Sequence, residues 1–201
     1  MLLTISRRLV LASESPRRLQ LLKQIGLTPE VIPSNIDENS FKESSIISLI
    51  QKLAEAKGLS VADKVDNGII ISADTTVVLE KRVIGKPATQ DEAISMLKEL
   101  SGNMHTVLTA YNILSTPSLF SITDYEQTKV YFRSLSESEI ISYVDTANPL
   151  DKAGAYGIQD SGALFVQKIE GCYNNVIGFP LTRFYETMID PENQKRLNLS
   201  N

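Results

Sequence analysis

The stretch LVLASESPRRLQLLKQIG, residues 9–26, decides the fold class: a short apolar β-strand runs directly into a helix. Ser15 is a good N-cap, Pro16 suits the first helical position, Leu19, Leu22 and Ile25 recur at helical spacing, and Gly26 stops the helix. The first turn carries Arg17 and Arg18. A helix N-terminus bears partial positive charge and disfavours cations, so two adjacent arginines there call for an anionic partner. Free backbone N–H groups, the Ser13 hydroxyl and two guanidinium forks suit a multiply charged phosphate. The competing reading is two solvated surface arginines.

Outward from this unit, β- and α-type patterns alternate. EVIP, residues 30–33, reads as a strand, followed by a loop with Asp37 and Glu38. A helical pattern over 44–62 places Ile46, Ile50, Leu53, Ala54 and Val61 on one face, with Lys57 on that same face. Lys57 is either an edge residue that snorkels to water or a lysine aimed into a cleft as a phosphate ligand. GIIISAD, residues 68–74, is a continuous apolar run ending in a carboxylate, the pattern of a strand buried on both faces. Ligands of open α/β sheets lie beyond the carboxyl ends of strands, which places Asp74 well. Residues 75–79 continue as β, Glu80 and Lys81 form a tight turn, and residues 82–84 return, a hairpin arm ahead of Gly85, Lys86 and Pro87.

Capping boxes at Thr89 with Glu92 and Ser136 with Glu139 start two further helices, and strands are expected over 105–115 and 119–132. DKAGAYGIQDSGALFVQKIEG, residues 151–171, carries glycines at 154, 157, 162 and 171 and reads as a loop approaching a ligand. A last helix spans about 181–189, and the polar tail 191–201 is expected to fray. Residues 1–190 form one domain, any second lobe being an insertion into one sheet.

Composition excludes several classes. The 201 residues are 42% hydrophobic and 22% charged, which suits a globular domain with a sizeable core. A formal charge of -4 offers no basic field for nucleic acid. One cysteine, Cys172, excludes an internal disulfide, and one histidine, His105, excludes His/Cys zinc clusters. The apolar run 9–12 is too short for a signal core or a membrane span, so no membrane partner is expected and the chain reads as cytoplasmic. No P-loop, GxGxxG or kinase signature occurs. Arg17, Arg18, Lys57, Lys86 and Lys152, set beside Asp74 and Glu38, describe a phosphate-ligand enzyme: cations neutralise phosphate oxygens while carboxylates hold a divalent metal or orient water.

The strings ASESPRRLQLL, SADTTVVLEKRVIGKP, LSGNMHTVLTA and PLDKAGAYGIQDSGALFVQKIEG, with NNVIGFPL after them, resemble the Maf family of nucleoside triphosphate pyrophosphatases and cover most of the chain. The resemblance implies an α/β fold, a mixed twisted sheet with flanking helices in two lobes around a cleft, related to inosine triphosphatase. It implies hydrolysis of a nucleoside triphosphate to monophosphate and pyrophosphate with Mg²⁺ or Mn²⁺, and a homodimer. Asp74 matches the family's proton acceptor and Glu38 the glutamate of its IDE-like segment, and the two carboxylates are expected to hold the metal. Ser13, Arg17, Arg18, Lys57 and Lys86 match the family's polar and phosphate-site positions, and Lys152, a cation in the glycine-rich loop, is expected to join them in binding substrate. Arg17, Thr75 and Gln159 resemble the subgroup acting on dTTP and UTP rather than the one resembling 7-methyl-GTP hydrolases. Ser72 stands where Gly is usual and Cys172 where Asp is common. The alternatives are an inosine/xanthosine-type triphosphatase and a non-catalytic nucleotide-binding regulator of septum formation.

Overall fold

The computed structural model describes residue 3 and residues 5–199. In chain order the elements are β1 (Arg8–Leu11), α1 (Pro16–Gln24), β2 (Glu30–Val31), α2 (Ile46–Leu59), β3 (Gly68–Leu79), β4 (Arg82–Ile84), α3 (Gln90–Leu100), β5 (Met104–Ser115), β6 (Phe120–Phe132), α4 (Glu137–Thr146), β7 (Val166–Glu170), α5 (Tyr173–Ile177), α6 (Leu181–Ile189) and α7 (Pro191–Arg196). The strands form one seven-stranded sheet in the order β2-β1-β3-β5-β6-β7, with β4 paired to β3. It is mixed: β1 runs parallel to β2 and β3, whereas β3 with β4 and β6 with β7 are antiparallel. The α/β class expected from alternating patterns is the class observed.

The chain divides into two compact units. The first contains the residues up to Asp74, Thr109–Glu126 and those from Gly178 onward. Its core includes Val10, Ala12, Val61, Val65, Ile70 and Leu114, so the parallel strands β1 and β3 pack against the end of α2 and the loop after it. Tyr111, Phe179 and Phe184 form a second buried group with ring centroids 5.1–5.9 Å apart. The second unit contains Thr75–Leu108 and Gln127–Ile177. At its centre His105, Phe132 and Tyr156 meet edge to face, with Phe165 and Tyr143 extending the cluster.

Local chemistry explains most boundaries. Ser15, Ser45, Thr89 and Ser136 each accept a backbone N–H of the following helix. The reciprocal box is complete at Ser136 and Glu139. At Thr89 it is not: the Glu92 carboxylate takes the Ala88 N–H at 2.7 Å, one residue before the expected partner. The expected strand 30–33 shortens to Glu30–Val31, as Pro33 has no N–H to extend a ladder. The expectation of fraying after 190 also fails. Asp190 caps α7, Pro191 opens it, and Leu197 is fully buried, its carbonyl accepting Arg7 Nη1 at 2.7 Å. Ser200 and Asn201, the end of that tail, lie outside the described residues.

Candidate active site

β1 stops pairing before β3 does. Leu11 is opposite Ile71, the Ala12 N–H still donates to the Ile71 carbonyl at 2.8 Å, and the chain then turns away toward α1. β3 runs on, so Asp74 sits in the middle of its own strand yet beyond the carboxyl end of its neighbour. The crevice rule for open α/β sheets is met by β1's ending rather than by β3's.

Two residues past Leu11, Ser13 organises the α1 entrance. Its buried hydroxyl accepts the Ser15 N–H at 3.2 Å and Arg18 Nη1 at 3.1 Å. Arg18 Nε donates to the Gly178 carbonyl at 3.0 Å, which leaves the guanidinium plane fixed from two sides. The first turn of α1 has no acidic residue. Burial lowers the Arg18 pKa, the charge of Asp74 raises it, neighbouring Arg17 lowers it again, and Glu38 raises it. Arg18 therefore feels two anions, Asp74 and Glu38, and one neighbouring cation, Arg17.

Lys57 resolves between its two readings. It is buried on α2, and its Nζ lies 2.6 Å from Asp74 Oδ1 and 2.8 Å from Glu38 Oε1. Asp74 is buried as well, whereas the Glu38 side chain is 55% exposed. The ammonium thus bridges an inner and an outer carboxylate. The approach of α2 to β3 that permits this depends on small residues. A Cβ at Gly58 would meet Ser72 Oγ at 2.9 Å and Asn112 Oδ1 at 3.0 Å, and Ser72 Oγ donates to the Ala54 carbonyl at 2.6 Å. Glu38 is presented by a 3-10 turn, Glu38–Ser40, whose cap Asp37 accepts the Asn39 N–H.

Of the residues singled out in the sequence, Ser13, Arg17, Arg18, Glu38, Lys57 and Asp74 converge in the first unit. Thr75, Lys86, Lys152 and Gln159 belong to the second. Thr75 follows Asp74 on β3 and is partly exposed. Lys86 is exposed in the loop after β4, where the Gly85 carbonyl accepts the Gly154 N–H at 3.0 Å and joins that loop to the one bearing Lys152. Lys152 is engaged by Asp151 at 2.8 Å and Asp160 at 3.7 Å, and Gln159 is exposed in a turn. Sequence reasoning named Ser72 only as a departure from the family pattern and passed over Gly58 and Gly178. Only Ser72, a hydroxyl in an apolar run, carried a local signal.

The donor set suits a hard divalent cation in one specific way. No group of three or more His, Cys, Asp or Glu able to hold a metal occurs among the described residues. Asp74 and Glu38, touching one ammonium, would be the one or two carboxylates with which Mg²⁺ is typically held when substrate phosphates and water complete its shell.

Residues 8–190 match the family described as Maf-like protein. A relative named dTTP/UTP pyrophosphatase from Acetivibrio thermocellus is 47% identical over 190 residues, covering 91% of this chain and 94% of that protein. One of the same name from Geobacillus sp. strain WCH70 is 49% identical over 179 residues, covering 88% of this chain and 94% of that protein. A solved structure, the Ham1 protein of Staphylococcus aureus, overlaps 62% of this chain and 71% of that chain with a TM-score of 0.44 at 16% identity.

Proposed function

This chain belongs to the Maf-like family, and from that premise we propose that it hydrolyses dTTP and UTP to the nucleoside monophosphate and pyrophosphate. The observation that carries the reading is the arrangement of Asp74, Lys57, Glu38 and Arg18 about the start of α1. Water attacks phosphorus poorly and must pass anionic oxygens, so the reaction needs a base and several cations. Asp74 takes the proton from water as its oxygen bonds to phosphorus. The anhydride bond between the α- and β-phosphates breaks, and its electron pair leaves on the departing phosphate. Arg17, Arg18, Lys57 and Lys86 balance charge on the phosphate chain. Mg²⁺ or Mn²⁺, held by Glu38 and Asp74, supplies further charge neutralisation when bound. Thr75 and Gln159 meet the base. No helix among the described residues is long and apolar enough to cross a membrane, and the working protein is proposed as a cytoplasmic homodimer.

The test is pyrophosphate release from a nucleotide panel with Mg²⁺ or Mn²⁺. dTTP and UTP should turn over best, CTP and dCTP less well, and purine triphosphates poorly, since an unpaired buried polar group costs about 1–3 kcal/mol. Asp74→Asn should lower kcat by about 10²–10⁴ while nucleotide binding persists. Preference for inosine or xanthosine triphosphate would replace the pyrimidine reading. Tight nucleotide binding without turnover would instead favour the regulator of septum formation.

A further inference from the structure

The Asp151–Gly171 segment contains a ring of contacts in which Lys152, grouped above with the substrate-binding cations, has an internal use. Its ammonium donates to the Asn148 carbonyl and to Asp151 Oδ1 at 2.8 Å, and lies 3.7 Å from Asp160 Oδ2. Its side chain is only 11% exposed, although it projects from an irregular loop. The other oxygen of Asp160 accepts the Gly162 N–H at 2.8 Å and the Tyr143 hydroxyl at 3.2 Å, and that hydroxyl accepts the Gly157 N–H at 3.1 Å. Both ends of the turn containing Gln159 are therefore tied through one carboxylate and one phenol. The packing leaves no slack. A Cβ at Gly157 would fall 2.3 Å from Asp160 Oδ2 and 2.9 Å from Lys152 Cε, and one at Gly162 would fall 2.6 Å from the Gly157 carbonyl. Tyr143 is itself anchored on α4, its ring packed edge-on to Phe165 at 4.9 Å.

We infer that Lys152, with Asp160 and Tyr143, is a positioning residue that braces the turn presenting Gln159, and that it contributes to base discrimination rather than to phosphate binding. The inference rests on the proposed reading of Gln159 as a base-contacting residue. A side chain at an exposed tip discriminates only if its backbone is held, because a mobile turn lets the amide follow whichever edge it meets. The brace supplies that hold, and a lysine with three oxygens around its ammonium has little left for a phosphate chain.

The experiment uses the full chain and three variants, K152M, Y143F and the control Q159L. Hydrogen exchange across 157–162 is followed by mass spectrometry, dTTP and CTP kinetics are measured, and inorganic tripolyphosphate is titrated as a competitive, baseless probe. K152M and Y143F should each speed exchange in that segment about tenfold and lower the dTTP-to-CTP ratio of kcat/KM by about tenfold through KM, the effect expected of Q159L. Tripolyphosphate inhibition should stay within twofold of wild type. A loss of tripolyphosphate binding equal to the loss for dTTP in K152M would make Lys152 a phosphate ligand and overturn the inference. Unchanged exchange in both variants would overturn it as well. If the wild type shows no preference for dTTP, the base-reading premise fails, and exchange alone decides whether the brace exists. Y143F removes a single oxygen, so it keeps the test open should K152M fail to fold.

Discussion

Lys57 shows how much one side chain's surroundings decide. On the helical pattern the commoner reading is a snorkelling edge residue and the sharper one a lysine aimed into a cleft, because periodicity gives a face and not a depth. Depth comes from β3, whose Asp74 stands 2.6 Å from the ammonium, and from Gly58 and Ser72, which let the helix approach. Asp74 was legible because an apolar run that ends in a carboxylate is locally anomalous. The clamp on Arg18 was not, since Gly178 is remote in sequence and offers only a carbonyl. A buried ion pair is more costly to break than it is favourable to form. Lys57→Met should therefore lower stability by about 2–4 kcal/mol, below the top of the range for buried pairs because Glu38 stays open to water. Adding Asp74→Asn should return most of that loss, since the uncompensated carboxylate is gone. Urea unfolding of the two single variants and the double variant measures the coupling. Strictly additive losses would mean that the pair is not the source.

Among elements, those with local punctuation were the readable ones. The hairpin arm of β3 and β4 follows its turn: Val77, Val78 and Leu79 pair with Ile84, Val83 and Arg82. β7 and α5 were missed because they lie in or just after a glycine-rich stretch whose order comes from tertiary contacts, such as the Thr128 hydroxyl between the Cys172 N–H and carbonyl. The helix after 190 was missed for a different reason. Asp190 and Pro191 are its start signals, but they were outweighed by the polar composition that follows. At the hairpin turn both central residues are left-handed, Glu80 at φ 48° and Lys81 at φ 77°. Such turns favour Asn-Gly, and an L side chain held there costs about 1 kcal/mol. The double change Glu80→Asn with Lys81→Gly should raise stability by about 0.5–1 kcal/mol, seen as a higher urea midpoint at constant m-value. A lower midpoint would mean that these two side chains make contacts worth more than the backbone strain.

For the whole molecule, the buried aromatic cluster of the second unit sets a pH limit that belongs to folding rather than to catalysis. His105 is 1% exposed, its Nε2 lies 2.8 Å from the Tyr156 hydroxyl, and its Nδ1 is buried with no hydrogen-bond partner. Desolvation moves its pKa from 6.5 down to about 4, so the ring is neutral in the folded chain. A base whose folded pKa is depressed binds its proton more readily when unfolded. Its contribution to stability is therefore complete above pH 6.5 and is lost as the pH falls from 6.5 toward 4. At 1.36 kcal/mol per unit, the loss is about 3 kcal/mol once pH 4 is reached. Carboxylates titrate over part of the same range, so the measurement is a difference: thermal unfolding of wild type and His105→Gln compared from pH 7 to pH 4. Glutamine keeps an amide for Tyr156 and has no proton to gain. The wild type should lose stability relative to the variant across that window, with most of the divergence between pH 6 and pH 4.5. Parallel curves would show that the His105 proton is not linked to folding, and the acid sensitivity of the chain would then rest on its carboxylates alone.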